Sequence, residues 1–212
     1  MKKSMWFYDT VTWLLKWVFK AMFRIKTTGL ENENVEGPVI YCANHMSNWD
    51  PVLVACETKR TINFMAKKEL FDVPVLKWLL SALGAFPVDR TGNDLAALKQ
   101  TIAALNDGAR ICLFPQGTRC PDVEPSSTTV KGGAAMIARH AKATLVPIGI
   151  YTKDYRIKLF RKVYITVGTP KKYEELGFTG SRDDYDRITQ ELFDDICKLC
   201  QASKEIDNAK GR

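Results

Sequence analysis

The sequence lacks an uninterrupted apolar run that could span a bilayer, and it lacks a recognisable secretory leader. Its most apolar stretch, residues 5–24, is interrupted by Asp9, Lys16 and Lys20, whereas a transmembrane helix needs about 20 predominantly apolar residues. No small-residue cleavage site follows this stretch. The sequence therefore predicts neither a transmembrane span nor a cleaved signal peptide.

Several patterns that carry chemistry in other proteins are also missing. Zinc-finger spacing and an RNA-binding aromatic signature are absent, which argues against nucleic acid as the partner of this basic chain, whose net charge is +7. A Gly-x-Ser-x-Gly nucleophile elbow is absent, which argues against one common hydrolase design. Cys197 and Cys200 form a single C-x-x-C without a second pair. We interpret the six cysteines as reduced thiols in a cytoplasmic compartment.

What is present is the pattern of one folded α/β domain. Hydrophobic residues make up 46% of the 212 residues, and apolar strand-like runs alternate with helical periodicity without an internal repeat. We predict a single domain with a mostly parallel central sheet flanked by helices. The predicted organisation is an interfacial helix at 1–28, a core domain at 29–203 and a frayed tail at 204–212.

The N-terminal segment is strongly amphipathic. Residues 5–24 contain no glycine or proline, and Trp6, Trp13 and Trp17 lie along one border between a cationic face and an apolar face. Residues 1–30 hold six basic residues and one acidic residue, a local balance of +5. Tryptophan rings at such a border favour docking on an anionic membrane surface. The alternative is a helix that packs on the domain's own core.

The central stretch of the chain runs from Val39 to Pro51. Val39–Ala43 is predicted to be a buried strand, and Asp50 followed by Pro51 is typical of an N-cap and the first helical position. A loop that folds back onto this helix would bring Asp50 to the imidazole of His45 and form a base with its orienting acid. Alternatively, Asp50 only caps the helix and His45 only binds backbone groups of the turn.

Three further loops carry basic side chains after apolar runs. In parallel sheets, sites lie at the loops beyond the carboxyl ends of the strands. Arg90 and Arg119 each carry a guanidinium fork that matches phosphate or carboxylate, and Lys67 adds a point charge. Each alone is typical of a surface ion pair, but together they indicate an anionic ligand near a histidine. Lipid phosphate would connect this site with the N-terminal helix.

Four ordered blocks resemble those of the glycerolipid acyltransferase family. They cover about residues 40 to 150 and read Asn44-His45-Met46-Ser47-Asn48-Trp49-Asp50, Gly84-Ala85-Phe86-Pro87-Val88-Asp89-Arg90, Phe114-Pro115-Gln116-Gly117-Thr118-Arg119 and Val146-Pro147-Ile148-Gly149. The segment 64–70 is similar to a further stretch of the family. The resemblance implies transfer of a fatty acyl group from a thioester to the free hydroxyl of 1-acyl-sn-glycerol-3-phosphate, giving phosphatidic acid.

The resemblance also implies roles for individual residues. His45 and Asp50 would be catalytic, and Pro147 would shape the site. The substrate-binding residues would be Arg119, Gly117, Gln116 and Thr118, with Arg90 and Lys67. It implies no metal or cofactor, an acyl-carrier protein or coenzyme A thioester as donor, anionic membrane lipids as partners, and a peripheral position on the cytoplasmic face of the cell membrane. Residues 71–86 are the predicted acyl groove.

One residue departs from the family pattern. The third block usually carries Glu where this chain has Gln116, which retains a hydrogen-bond acceptor but has no carboxylate. We expect the hydrogen bond to matter more than the charge, because His45 already supplies the base. The competing interpretations are acylation of glycerol-3-phosphate or another lysophospholipid, hydrolysis of a thioester or ester, and lipid binding without catalysis.

Overall fold

The computed structural model describes residues 5–82, 84–88 and 94–209. Within these ranges the helices are α1 Met5–Met22, α2 Asp50–Glu57, α3 Pro74–Ala82, α4 Asp94–Asn106, α5 Gly133–Ala141 and α6 Asp184–Ala209. The strands are β1 Ile25–Thr28, β2 Val39–Ala43, β3 Asn63–Lys67, β4 Phe86–Val88, β5 Arg110–Leu113, β6 Thr144–Thr152 and β7 Val163–Val167.

The seven described strands form one sheet in the order β1-β7-β6-β2-β5-β3-β4. The five strands from β6 to β4 are parallel, β7 runs antiparallel to β6, and β1 is parallel to β7. The predicted single α/β domain with a mostly parallel sheet is confirmed. The carboxyl ends of β2, β5, β3 and β6 therefore meet at one edge of the sheet, which we call the carboxyl edge.

Both faces of the sheet are covered, so its central strands are apolar on both sides. Val39, Tyr41 and Ala43 of β2 face a core cluster that includes α1 and α2. Ile40 and Cys42 face the opposite cluster, which includes α4, α5 and α6. Because successive side chains of a strand alternate between faces, β2 is buried along its whole length and holds the loop that follows it in a fixed place.

The predicted boundary of the N-terminal segment at 1–28 is wrong. Ile25–Thr28 is the edge strand β1, paired with Val163–Thr166 of β7. Phe19 of α1 and Phe23, directly after the helix, are buried in the core. The helical wheel missed this because α1 carries two apolar stripes, one packed on the domain and one exposed. No helix among the described residues is both long and apolar enough to cross a bilayer.

The predicted frayed tail at 204–212 is also wrong over residues 204–209. Helix α6 continues to Ala209, because the carboxylate of Asp207 accepts hydrogen bonds from Lys162 Nζ at 3.0 Å and Tyr164 OH at 2.9 Å. These two contacts fix the last turns of the helix against β7. Residues 210–212 lie outside the described part of the chain.

Pro147 does not interrupt β6, which is continuous from Thr144 to Thr152. Its carbonyl oxygen accepts the amide of Gly168 at 2.8 Å, on the side of β7. The N–H and C=O of one strand residue point to the same side, so the N–H that proline lacks would also point towards β7. The regular pairing of β6 with β7 begins only at the next residue, Ile148. The pairing of β6 with β2 is therefore preserved.

Candidate active site

His45 and Asp50 form a hydrogen-bonded pair at the carboxyl edge. His45 Nδ1 lies 2.7 Å from Asp50 Oδ2, and the same oxygen accepts the amides of Met46 and Ser47, each at 2.7 Å. Asp50 is fully buried and the His45 side chain is 17% exposed. Because an ionised carboxylate only accepts hydrogen bonds, the imidazole proton belongs on Nδ1. The turn thus brings the two predicted side chains together.

The predicted N-cap role of Asp50 is wrong. Asp50 is the first residue of α2, and Trp49 occupies the cap without a side-chain hydrogen bond. The carboxylate instead turns back to the loop that precedes the helix. Burial raises the pKa of the Asp50 carboxyl, and the hydrogen bonds from His45, Ser47 and Met46 oppose that rise.

The backbone and ring of His45 are held from three sides. Its N–H donates to Gln116 Oε1 at 2.6 Å, and its carbonyl accepts the amide of Cys120 at 2.8 Å. Its ring stacks on Phe114, with centroids 4.0 Å apart and planes at 20°. With Nδ1 bonded to Asp50, Nε2 is the ring nitrogen that can face a substrate.

Gln116 is buried, and its side chain connects the His45 amide to Thr128 through hydrogen bonds. Its Nε2 donates to Thr128 Oγ1 at 2.8 Å, and that hydroxyl lies 2.7 Å from the Pro125 carbonyl, to which it donates. The segment 120–128 is therefore connected to the site at two points, through Thr128 and through Cys120. Sequence reasoning missed Thr128, since no spacing links it to Gln116.

The turn after β5 brings Gly117, Thr118 and Arg119 beside the His45 loop. Gly117 has φ 69°, a conformation that other residues rarely adopt, and its amide donates to the Phe114 carbonyl at 2.9 Å. Arg119 is exposed and donates to Asn48 Oδ1 at 2.7 Å. The structure therefore places a guanidinium next to the histidine loop, as the sequence predicted.

For the other predicted site residues, the structure gives the backbone position of two and does not describe the third. Lys67 is the last residue of β3, so its backbone lies at the carboxyl edge, and Pro147 pairs with Cys42, three residues before His45. Arg90 lies outside the described residues. The substrate-binding roles of Lys67 and Arg90 stay predictions.

Asn44 is a supporting residue that sequence reasoning did not single out. Its buried side chain donates to the carbonyl of Ile150 at 2.9 Å and accepts the amide of Ile150 at 2.8 Å. These bonds extend the pairing of β2 with β6 by one residue beyond the strand. The available signal was a polar amide directly at the end of a wholly apolar strand.

A His–Asp pair at the carboxyl edge of a parallel sheet, with an arginine on the adjoining turn, is an arrangement that can support general-base chemistry. The family model described as Acyltransferase matches residues 24–151, which contain every element of this site. The chain belongs to the acyltransferase family, so the resemblance seen in the sequence is confirmed.

Two relatives with similar sequences carry the same name. The chain is 39% identical over 127 residues to a 1-acyl-sn-glycerol-3-phosphate acyltransferase of Streptococcus pneumoniae, covering 59% of this chain and 46% of that protein. It is 29% identical over 198 residues to the protein of that name from Bacillus subtilis, covering 92% and 94%. The chain therefore spans less than half of the first relative and nearly all of the second.

A solved structure shares the fold. The crystal structure of the 1-acyl-sn-glycerophosphate acyltransferase PlsC from Thermotoga maritima matches with a TM-score of 0.69 at 22% identity. The match covers 93% of this chain and 83% of that one. At this identity the likeness supports the architecture of the sheet and its helices.

Proposed function

We propose that the protein transfers a fatty acyl group from a thioester to the free hydroxyl of 1-acyl-sn-glycerol-3-phosphate, giving phosphatidic acid. The observation that carries this proposal is the His45–Asp50 hydrogen bond at the carboxyl edge, with Arg119 on the adjoining turn. The names of the relatives support the choice of substrate.

The proposed chemistry needs one base and no enzyme nucleophile. His45 Nε2 takes the proton of the glycerol hydroxyl while that oxygen attacks the thioester carbonyl. The tetrahedral intermediate collapses, the C–S bond breaks, and the imidazolium returns its proton to the departing sulfur. Asp50 keeps the imidazole in the required tautomer and stabilises the imidazolium between these two steps.

Arg119 is proposed to bind the substrate phosphate. Among the described residues Arg119 makes one hydrogen bond, to Asn48, so further guanidinium N–H groups can bind phosphate oxygens. A guanidinium fork binds phosphate with two parallel hydrogen bonds. Lys67, Arg90 and the Gly117–Thr118 backbone are proposed to complete this subsite.

Substitution of Arg119 tests the phosphate subsite. We expect Arg119→Gln to raise the KM for lysophosphatidate by about 10- to 100-fold, the loss of a charged hydrogen bond worth roughly 1.5–3 kcal/mol, with a small change in kcat. The matched control is Arg60→Gln, because Arg60 is exposed at the opposite edge of the sheet, ahead of β3. Equal effects of the two substitutions on KM would remove Arg119 from the subsite.

Gln116 is proposed to position His45 through a hydrogen bond that does not require a carboxylate. Its amide group fits both neighbours, since Oε1 accepts from the His45 amide and Nε2 donates to Thr128. A glutamate would still accept from His45, and Thr128 could turn its hydroxyl to donate to the second oxygen.

Two substitutions of Gln116 separate hydrogen bonding from charge. We expect Gln116→Glu to keep kcat within a few-fold of the wild type. We expect Gln116→Leu to lower kcat by ten-fold or more and stability by about 1–3 kcal/mol, because the buried amide of His45 and the Thr128 hydroxyl lose a partner. Steady-state kinetics and thermal unfolding measure both quantities. A large rise in kcat for Gln116→Glu would show instead that the charge is needed.

We also propose that the protein works as a peripheral protein on the cytoplasmic face of the membrane, where its lipid substrate resides. The supporting observation is the exposed apolar stripe of α1, in which Trp13 is 59% and Trp17 is 63% exposed. Helix α3, which contacts α1, exposes Val75 and Trp78 as well. These residues, with Leu14 and Val18, form what we call the aromatic patch. Trp side chains suit the interface of a bilayer.

An acceptor panel tests the proposed substrate. Purified protein is incubated with an acyl-coenzyme A or acyl-acyl-carrier-protein thioester and, in separate reactions, with lysophosphatidate, glycerol-3-phosphate or lysophosphatidylcholine. We expect phosphatidic acid from lysophosphatidate as the main product, with the better donor identified in the same experiment. Preferred acylation of glycerol-3-phosphate or of the choline lipid would contradict the proposal.

A further inference from the structure

The loop that joins β6 to β7, residues 153–162, exposes two large apolar side chains at its tip. Leu159 is 57% exposed and Phe160 is 72% exposed. Phe160 also has φ 63°, a left-handed backbone conformation that is rare for a bulky residue. Neither side chain contributes to the core, so burial within the fold does not explain them.

The backbone around this tip is fixed by specific contacts. The amide of Phe160 donates to the carbonyl of Met22, the last residue of α1, at 2.6 Å. Arg161 donates to the Lys153 carbonyl at 2.7 Å and to the Asp154 carboxylate at 3.2 Å, which closes the base of the loop. The two apolar side chains are therefore presented by an ordered turn that is attached to α1.

The loop lies at the same edge of the sheet as the candidate active site. Strand β6 is parallel to β2 and ends at Thr152, so the loop follows its carboxyl end. The C-terminal end of α1 reaches the same edge, because Ile25, which opens β1, pairs with Val163. His45, the end of α1 and the apolar tip are thus all at the carboxyl edge.

The surroundings of the tip are cationic. Lys153 and Lys158 are exposed and have no ion pair among the described residues, whereas Arg156, Arg161 and Lys162 pair with Asp122, Asp154 and Asp207. On α1 and just beyond it, Lys20 and Arg24 are exposed within two residues of Met22. Exposed apolar side chains with exposed cations on the same loop and at the end of α1 complement an anionic lipid surface.

We propose that the 153–162 loop is a second membrane contact, in which Leu159 and Phe160 insert into an anionic bilayer beside α1. This inference rests on the proposed membrane association of α1 and names a contact that the N-terminal helix does not provide. Because the loop lies at the carboxyl edge, its contact together with that of α1 would fix the orientation of the domain and direct the His45 side of the sheet towards the lipid surface.

Sedimentation with vesicles tests the loop. The wild type and the Leu159→Ser/Phe160→Asn double variant are titrated with vesicles of equal phosphatidylglycerol and phosphatidylcholine, and with phosphatidylcholine alone. Asparagine is chosen because it accepts a left-handed backbone. We expect the double variant to bind the anionic vesicles at least ten-fold more weakly. Ile206→Ser, an exposed apolar position on α6, should bind within two-fold of the wild type.

A Lys153→Gln/Lys158→Gln variant tests the charge, and we expect it to lose affinity for the anionic vesicles only. Thermal unfolding of each variant confirms the fold. Wild-type affinity for vesicles in the Leu159/Phe160 double variant would overturn the inference. So would a double variant that binds vesicles normally but has a raised KM for acyl-carrier protein, because the loop would then contact an acidic protein.

Further measurements separate the failure of this inference from the failure of the proposals on which it rests. Trp13→Ala/Trp17→Ala reports on the aromatic patch without removing Phe19 and Phe23 from the core. If only this variant loses binding, the loop inference fails and the α1 proposal stands. If the wild type does not bind vesicles, both fail. Acylation of a short-chain, monomeric lysophosphatidate tests the acyl-transfer proposal without vesicles. The Leu159/Phe160 double variant should retain this activity.

Discussion

Replacing His45 by alanine is expected to lower kcat for acyl transfer on the order of 10³-fold while the protein stays folded. A positioned general base contributes about 10²–10⁴-fold to the rate, and in the proposed mechanism no other side chain takes the hydroxyl proton. The backbone contacts of residue 45 with Gln116 and Cys120 do not use the imidazole. The kinetics of thiol release in the presence of lysophosphatidate measure the effect.

The sequence offers a matched control in its second histidine. His140 is exposed in the last turn of α5, away from the carboxyl edge, and His140→Ala should leave kcat and KM unchanged. Circular dichroism and thermal unfolding show whether each variant folds. A folded His45→Ala protein with more than about a tenth of the wild-type kcat would contradict the assignment of His45 as the base.

Replacing Asp50 by asparagine is expected to reduce kcat on the order of 10³- to 10⁴-fold without loss of stability. The amide oxygen of asparagine can accept from the Met46 and Ser47 amides as Asp50 Oδ2 does. The substitution removes the negative charge that stabilises the imidazolium, and it disturbs the imidazole tautomer. The loss should therefore appear in kcat much more than in KM.

The effect on stability follows from the direction of the pKa shift. Burial raises the pKa of the Asp50 carboxyl above its unfolded value, so the folded state binds this proton more tightly than the unfolded state does. Ionisation above the folded pKa therefore lowers the free energy of unfolding, and below the unfolded pKa this contribution is absent. At neutral pH the asparagine variant should melt at the wild-type temperature or higher.

A contrasting substitution completes this experiment. Asp50→Ala leaves the amides of Met46 and Ser47 without their acceptor, and we expect it to lower the free energy of unfolding by about 1–3 kcal/mol. A stable Asp50→Asn protein that retains wild-type kcat would show that the Asp50 charge is not needed for catalysis.

The buried strands and the His45 block could be predicted from the sequence because their signals are local. Val39–Ala43 matches the predicted strand residue for residue, since a short uninterrupted apolar run favours a strand that is buried on both faces. The His45–Asp50 pair was also predictable, because five residues and a proline confine the turn between a strand and a helix.

What the sequence did not predict depends on contacts between distant segments. The edge strand β1 exists because Ile25–Thr28 meets β7, about 140 residues later in the chain. The bond from Gln116 to Thr128 and the bonds from Asn44 to Ile150 are also tertiary contacts without local periodicity. Asp50 was misjudged as an N-cap because an aspartate near a helix start can accept amides of the first helical turn or, as here, amides of the preceding loop.

The most direct test of the central claim is the stoichiometry of one reaction of the purified wild type. Thiol release from the thioester and formation of phosphatidic acid are measured together in vesicles that contain lysophosphatidate. The proposed mechanism predicts one phosphatidic acid for each thiol released, and little release without the acceptor. Thiol release that yields free fatty acid at the same rate with and without lysophosphatidate would contradict it, because water and not the lipid hydroxyl would then be the acceptor.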